Sequence, residues 1–226
     1  MTTSVTFLGH GTFLVETNGT HVLIDPFLTD NPAASTTAEE VPAEVIILTH
    51  GHGDHVGDAV AVANRTGALV IANFEIVEWL GGQGIENTHP LHIGGQHAFE
   101  WGTVKLTIAH HGSMLPDGSN GGNPAGVLLK LSDGTIYHAA DTGLFYDMKL
   151  IGEIYRPDIA LIPIGDRFTM GPEDAVRAVE FIEPRVVIPM HYDTWPPIAQ
   201  DAGAFKAAVG DRAHVEIMTA GDIYEF

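Results

Sequence analysis

Short runs of β-prone apolar residues open the chain. They cover residues 4–8, 13–17 and 21–25, and Asn18 and Gly19 stand between the last two runs. An Asn-Gly pair between two such runs is typical of a two-residue hairpin turn. The pattern therefore predicts an antiparallel meander at the start of the chain.

Strands and helices then alternate. A polar stretch at 26–42 is predicted to be a long loop, and the continuous apolar run at 45–48 is typical of a strand buried on both faces. The pattern next predicts a helix at 58–64, a strand at 69–72 and a helix at 74–80.

The second half of the chain repeats this order of hairpins followed by alternating elements. The pattern predicts hairpin strands at 97–100 and 104–109, hairpin strands at 127–131 and 135–138, strands at 159–164 and 186–188, helices at 172–182 and 202–209, and strands at 215–217 and 223–226. Without a sequence repeat or a linker-like segment, we predict one domain over residues 1–226. The order favours an α/β fold in which two mixed sheets pack together with helices outside.

Composition indicates where the protein is located and whether it can span a membrane. Apolar residues make up 45% of the 226 positions, so a substantial core can form. No apolar run approaches the roughly 20 residues that cross a bilayer, and the N-terminus lacks the features of a signal peptide. We therefore expect a cytoplasmic protein that does not insert into membranes.

Residue usage limits which groups can bind a metal, and the net charge limits the partners. The chain has 13 His and no Cys, so any metal must be bound by imidazole and carboxylate. Its formal net charge is −19, from 29 acidic and 10 basic side chains. Because nucleic-acid affinity comes largely from Lys and Arg on phosphates, we expect no nucleic-acid partner.

One motif dominates the sequence. His50, His52, Asp54 and His55 follow the buried strand at 45–48, with glycines between them. Glycines allow sharp turns, and residues two apart in an extended segment point the same way. His50 and His52 are thus expected to face one point, while Asp54 and His55 turn toward a second.

Here the chain resembles a known family. The motif is similar to the signature of the metallo-β-lactamase superfamily, and further segments resemble its UPF0173 metal-dependent hydrolases, which are related to ascorbate-6-phosphate lactonases and N-acyl-phosphatidylethanolamine phospholipases D. These segments are Leu8-Gly9-His10-Gly11, Ile24-Asp25-Pro26, Ala109-His110-His111-Gly112-Ser113, Tyr137-His138-Ala139-Ala140-Asp141-Thr142-Gly143, Met170-Gly171-Pro172-Glu173 and Ile188-Pro189-Met190-His191-Tyr192. The resemblance implies a four-layer αβ/βα sandwich with its site at one edge.

The resemblance also implies a ligand set for two divalent metals, with zinc expected first and manganese, iron or nickel compatible. His50, His52 and His111 would bind the first metal, and Asp54, His55 and His191 the second. Asp141 would bridge them. The third ligand of the first metal stays open between His110 and His111. The alternation of side chains along the 104–109 strand points His110 toward the core, whereas the family pattern aligns better with His111.

Other polar residues at strand ends complete the candidates. By the same resemblance, Asp25 is expected to accept a hydrogen bond from a metal-binding histidine. Asp54, His10, His110 and His138 are the candidate catalytic residues. The residues at 112–122 and 74–83 are expected to shape the pocket.

The expected activity is hydrolysis of an ester, lactone or phosphodiester of a small substrate, for which an anion is compatible, by a hydroxide that two metals share. A homo-oligomer is compatible with this. The alternatives are a nuclease or RNA-processing enzyme of the same fold, an oxygen-reducing di-iron protein, and a metal-dependent ligand sensor without turnover. The acidic charge argues against the first of these, and the second usually comes with a flavin domain.

Overall fold

The computed structural model describes residues 2–226, which form fourteen strands, six α-helices and two short 3-10 helices. The strands are β1 (Ser4–Gly9), β2 (Thr12–Thr17), β3 (Thr20–Ile24), β4 (Val45–Ile47), β5 (Leu69–Asn73), β6 (Thr88–Leu91), β7 (Gln96–Phe99), β8 (Gly102–Ile108), β9 (Ala125–Lys130), β10 (Thr135–His138), β11 (Ile159–Pro163), β12 (Val186–Met190), β13 (His214–Val215) and β14 (Ile223–Glu225). The helices are α1 (Gly53–Val56), α2 (Ala59–Thr66), α3 (Phe74–Gly82), α4 (Met148–Tyr155), α5 (Pro172–Ile182) and α6 (Ala202–Val209), and the 3-10 helices are Pro196–Ile198 and Gly210–Arg212.

The predicted opening meander is confirmed. β1, β2 and β3 pair antiparallel in sequence, and β2 and β3 are joined by Asn18 and Gly19 alone. Both linking residues have positive φ, 50° and 77°. Two successive positive φ angles define the type I′ turn, whose twist matches that of the strands, which is why this dipeptide closes the hairpin.

Within residues 2–226 the strands form two sheets of seven strands each. The first sheet has the order β14-β1-β2-β3-β4-β5-β6 and the second β13-β12-β11-β10-β9-β8-β7. Each sheet has three antiparallel pairings at one end and three parallel pairings at the other. The two halves thus share a topology although their sequences show no repeat.

The predicted four-layer α/β sandwich is confirmed. Apolar side chains of both sheets, among them Phe13, Ile47, Leu106 and Leu161, fill the space between the sheets. The outer face of the first sheet packs against α2 and α3, and that of the second against α4, α5 and α6. Each sheet is therefore covered on both faces, as continuous apolar strands such as β4 and β11 require.

Five elements were not predicted from the sequence: α1, β6, α4 and the two 3-10 helices. α1 is a single turn that begins inside the motif at 50–55, and β6 is a short edge strand of the first sheet. No helix among the described residues is long and apolar enough to cross a membrane.

Strand ends on one edge of the sandwich carry unusual backbone angles. His10, Asp25, Ala140 and His191 all have φ between 47° and 60°, although none is glycine. A left-handed backbone at such residues is uncommon and tends to concentrate at functional sites. The four residues mark the edge at which the predicted site residues converge.

Candidate metal centre

All seven predicted ligands lie beyond the strand ends at this edge. β4 leads to His50, His52, Asp54 and His55, β8 to His111, β10 to Asp141 and β12 to His191. The loop after β4 belongs to the first sheet and the other three to the second. The site is therefore assembled from both sheets.

The motif after β4 divides into an extended part and a helical turn. The amides of His55 and Val56 donate to the carbonyl of His52 at 3.0 and 2.9 Å, which starts α1. The turn carries Asp54 and His55 away from the direction of His50 and His52. This agrees with the expectation that the motif faces two points.

The first group consists of His50, His52 and His111. His52 Nδ1 lies 3.1 Å from His50 Nε2 and 3.2 Å from His111 Nε2. Two nitrogens about 2.0–2.1 Å from one tetrahedral zinc lie roughly 3.3 Å apart, so the spacing suits a shared cation. Burial lowers the pKa of His50 and of His111, which favours the neutral imidazole that binds metals.

The second group consists of Asp54, His55 and His191, with His10 beside them. Candidate ligand atoms of these four residues lie within 4.8 Å of one another. Asp54 Oδ2 is 4.0 Å from His55 Nε2 and 3.9 Å from His191 Nε2.

Asp141 lies between the two groups. Its Oδ2 is 2.9 Å from His191 Nε2, 3.4 Å from His55 Nε2 and 3.5 Å from His111 Nε2. One buried carboxylate oxygen thus contacts histidines of both groups. Burial would raise the pKa of Asp141, but the neighbouring His191 and His55 lower it well below its usual value, so the carboxylate is ionised.

The donor set fits a bound cation. His55 Nε2, Asp141 Oδ1 and both ring nitrogens of His191 are buried and form no hydrogen bond of normal geometry among the described residues, although Asp141 Oδ2 lies 2.9 Å from His191 Nε2. Such orphaned buried polar atoms are rare and costly unless an ion or water satisfies them. Burial lowers the pKa of His55, but Asp141 and Asp25 outweigh it and raise the pKa well above its usual value. The carboxylates around His55 therefore favour a positive charge at this position.

Asp25 and Thr49 fix which nitrogen of two histidines faces the centre. His55 Nδ1 donates to Asp25 Oδ2 at 2.8 Å, which leaves Nε2 free. Thr49 donates its hydroxyl to Asp25 Oδ2 at 2.6 Å and so accepts from His50 Nδ1 at 2.9 Å. The expected position of Asp25 is found. Thr49 was missed, although its place directly before the motif was a usable signal.

His10 contacts Asp54. Burial lowers the pKa of His10 to about 4, so the ring is neutral near pH 7. Its Nε2 donates to Asp54 Oδ2 at 3.2 Å, and its Nδ1 accepts from the hydroxyl of Thr194 at 2.8 Å. Burial would raise the pKa of Asp54, but the hydrogen bond from His10 lowers it below the usual range.

Two catalytic candidates do not reach the centre. β8 ends at Ile108, so the alternation of side chains along the strand does not extend to His110. His110 is exposed, and its ring lies 5.1 Å from that of Phe145. His138 is fully buried: its Nε2 donates to the carbonyl of Gly11 at 3.1 Å and its Nδ1 accepts from the amide of Ala140 at 3.1 Å. Because backbone groups engage both of its ring nitrogens, His138 has a structural role. We therefore correct the predictions that His110 and His138 are catalytic residues.

A cavity of about 240 Å³ opens over the centre. Its lining consists of His52, Asp54, His111, Asp141, Phe168, His191 and Trp195. The segments 112–122 and 74–83, expected to shape the pocket, contribute no lining residue, so that prediction is wrong. Ser113 instead accepts a hydrogen bond from the amide of Gly51 at 3.0 Å and so supports the motif from behind.

Phe168 and Trp195 were not found from the sequence. Each lies in a loop without periodicity, Phe168 between β11 and α5 and Trp195 after β12. Phe168 stays 56% exposed at the mouth of the cavity, which is unusual for a phenylalanine of a well-packed chain. An isolated aromatic residue in a loop gives no signal of what it faces.

Comparison with known proteins assigns this fold and site to a class. Residues 4–191 match the family model described as a beta-lactamase superfamily domain. A metallo hydrolase, Igni18, from the archaeon Ignicoccus hospitalis superposes with a TM-score of 0.92 at 38% identity, over 100% of this chain and 99% of that chain. The class is thus that of metal-dependent hydrolases with the metallo-β-lactamase fold.

Sequence relatives narrow the class to one family. A UPF0173 metal-dependent hydrolase of Pelotomaculum thermopropionicum is 49% identical over 98% of this chain and 99% of its own length. Another from Bacillus mycoides is 54% identical over 89% of this chain and 90% of its own length. The chain belongs to the UPF0173 family of metal-dependent hydrolases, as its motifs predict.

Proposed function

We propose that the protein binds two divalent cations and hydrolyses an ester, lactone or phosphodiester bond of a small substrate. His50, His52 and His111 would hold one cation, Asp54, His55 and His191 the other, and Asp141 would contact both. The observation that carries this proposal is the position of Asp141 Oδ2, within 3.5 Å of histidines from each group. Zinc is the expected metal, because imidazole and carboxylate suit it.

When bound, such a pair of cations lowers the pKa of water and polarises the oxygen of the scissile bond. The chain's own residues orient this chemistry. Asp25 and Thr49 fix the tautomers of His55 and His50. His10 holds the carboxylate of Asp54 at the floor of the cavity, and because both its nitrogens are engaged we assign it a positioning role.

The cavity limits the substrate. A volume of about 240 Å³ suits a compact molecule. Phe168 and Trp195 lie on its rim and offer apolar contact to the part of the substrate beside the scissile bond. Substrate binding thus combines polar contacts at the floor with aromatic contacts at the walls, as small-molecule sites commonly do.

Metal stoichiometry of three alanine variants tests the site. We expect about two metals per chain in the native protein. Asp141→Ala should lose most of both, because two nearby cations repel each other and a shared carboxylate offsets that repulsion. His111→Ala should lose mainly one. His110→Ala is the matched control and should retain both, since its ring lies beside Phe145.

The same proteins should be screened for turnover of chromogenic esters, lactones and phosphodiesters. A metal-loaded protein without turnover of any of the three would overturn the hydrolytic proposal and favour a sensor. Retention of both metals and full activity in Asp141→Ala would overturn the bridged pair itself. Loss of metal in His110→Ala but not in His111→Ala would move the third ligand by one residue.

A further inference from the structure

Helix α4 is apolar on two opposite faces. Its inner face packs Met148 and Ile151 against the second sheet. Its outer face presents Leu150 and Ile154, and Tyr146 continues this row in the turn just before the helix. These three side chains are 49%, 63% and 68% exposed. A contiguous exposed apolar row of this kind marks an interaction surface.

We propose that this surface is the interface of a homodimer in which two copies of α4 pack antiparallel about a two-fold axis near Leu150. We define the α4 surface as the row Tyr146, Leu150 and Ile154 with the flanking pair Lys149 and Glu153. A two-fold interface needs a patch that is complementary to itself. The order of residues on α4 meets this condition.

The flanking charges supply the complementarity. Lys149 and Glu153 lie on the same side of the row, one turn apart, with their charged atoms 4.0 Å from each other. In an antiparallel pair centred on Leu150, Lys149 of one copy and Glu153 of the other lie on the same side and about 3 Å apart along the helix axis, which their long side chains span, and symmetry repeats this contact. Opposite charges that meet across an interface fix register and exclude other arrangements.

The surrounding charge also favours this face. At a net charge of −19, two copies repel each other over most of their surface. Five of the ten basic residues, however, lie around α4: three line the groove beside it, where they balance the acidic residues Glu153, Asp158 and Glu183, and two place their ammonium groups over the ring of Tyr155 at its end. The basic residues are Lys149, Arg156 and Arg185 in the groove, and Lys105 and Lys130 at the ring.

The expected dimer is weak. A pair of eight-residue helices covers less than the roughly 800 Å² per partner of a standard stable interface, so the rim charges matter more than usual. The mass should therefore rise from monomer to dimer with concentration. Sedimentation equilibrium of the full metal-loaded chain measures this directly.

A charge swap tests the arrangement. Leu150→Glu should weaken the dimer about thirtyfold or more, as for a central interface residue. Lys149→Glu should weaken it about tenfold, because it brings like charges together twice. The double variant Lys149→Glu with Glu153→Lys should restore it. Lys206→Glu on α6 and Ile223→Glu on β14 are matched controls of charge and apolar exposure and should leave it unchanged.

Several outcomes would overturn the proposal. These are a monomer at every attainable concentration, a dimer that survives Leu150→Glu, and a dimer that Ile223→Glu disrupts instead. Failure of the double variant to restore the dimer would overturn the antiparallel register. Metal content and turnover of the same variants should stay native, which separates this surface from the metal centre.

Discussion

Asp25 is the residue whose single change reports most directly on the metal centre. Its carboxylate accepts from His55 Nδ1, from the Thr49 amide and from the Thr49 hydroxyl, at 2.8, 2.8 and 2.6 Å. Three donors on one buried side chain explain its unusual backbone, with φ of 47°. The strained turn is retained because it brings both carboxylate oxygens to these donors.

Asp25→Asn isolates this role. Asparagine tolerates the same backbone, but its amide group would face a donor where the carboxylate accepted. We expect metal affinity to fall about 10–100-fold, as for other partners of metal-binding histidines. Competition with a chromogenic chelator measures the change.

Asp58→Asn is the control for this substitution. It also removes one carboxylate, but the partners of the Asp58 carboxylate among the described residues are the amides of Leu28 and Thr29. It should alter stability without altering the metal affinity of the folded protein. Equal losses of metal affinity in the two variants would contradict the assignment of Asp25.

At the residue scale, the sequence locates the candidate ligands better than it locates the residues around them. His50, His52, Asp54 and His55 are contiguous, so their convergence follows from local geometry. His111, Asp141 and His191 were assigned by resemblance, because their meeting with the motif depends on how two sheets pack. Phe168 and Trp195 carried no signal at all, since an aromatic residue in a loop has no periodicity to reveal its direction.

At the scale of elements, helix α4 and strand β6 are two segments that the sequence pattern did not predict. α4 was not predicted, although its apolar and polar positions follow the 3.6-residue period of a helix. It contains Gly152, which lowers helix propensity and weakens the signal of a short helix. β6 lies at a sheet edge and is exposed or half-buried throughout, so it lacks the apolar run of a central strand.

Gly152 has a packing role at the crossing of α4 and α5. A Cβ at this position would lie 2.5 Å from the carbonyl oxygen of Ile182 and 2.6 Å from that of Phe181. Because these are backbone atoms, the helices must separate. We expect Gly152→Ala to lower the free energy of unfolding by about 1–3 kcal/mol in urea titrations.

Gly81 in α3 provides the opposite case. A Cβ there would meet no atom within 4 Å, so only helix propensity changes. Gly81→Ala should raise the free energy of unfolding by about 0.5–1 kcal/mol. The same sign for both substitutions would contradict the close crossing of α4 and α5.

The whole molecule is organised around the seam between its two sheets. Each sheet runs through three antiparallel and three parallel pairings, and each brings loops to the same edge. The first sheet supplies His50, His52, Asp54 and His55 there, and the second supplies His111, Asp141 and His191. A cation bound by either group thus makes contacts with both sheets, directly or through Asp141.

This arrangement predicts that metal binding stabilises the entire fold. Metal that binds the native state alone adds RT ln(1 + [M]/Kd), so each tenfold rise in free metal above Kd adds about 1.4 kcal/mol per site. We expect the urea midpoint to rise with free zinc in a metal-buffered series. Excess chelator should lower it to a plateau.

Asp141→Ala separates this linkage from nonspecific effects of zinc. If the carboxylate joins the two groups, its removal should flatten most of the dependence of the midpoint on free zinc, while the plateau in chelator changes far less. Hydrogen exchange should report the same seam: chelation should speed exchange in the loops after β4, β8, β10 and β12 together. A midpoint that does not change with free zinc in a protein shown to be loaded would mean that the unfolded chain binds zinc as tightly as the native state, because binding confined to the native state cannot leave its stability unchanged.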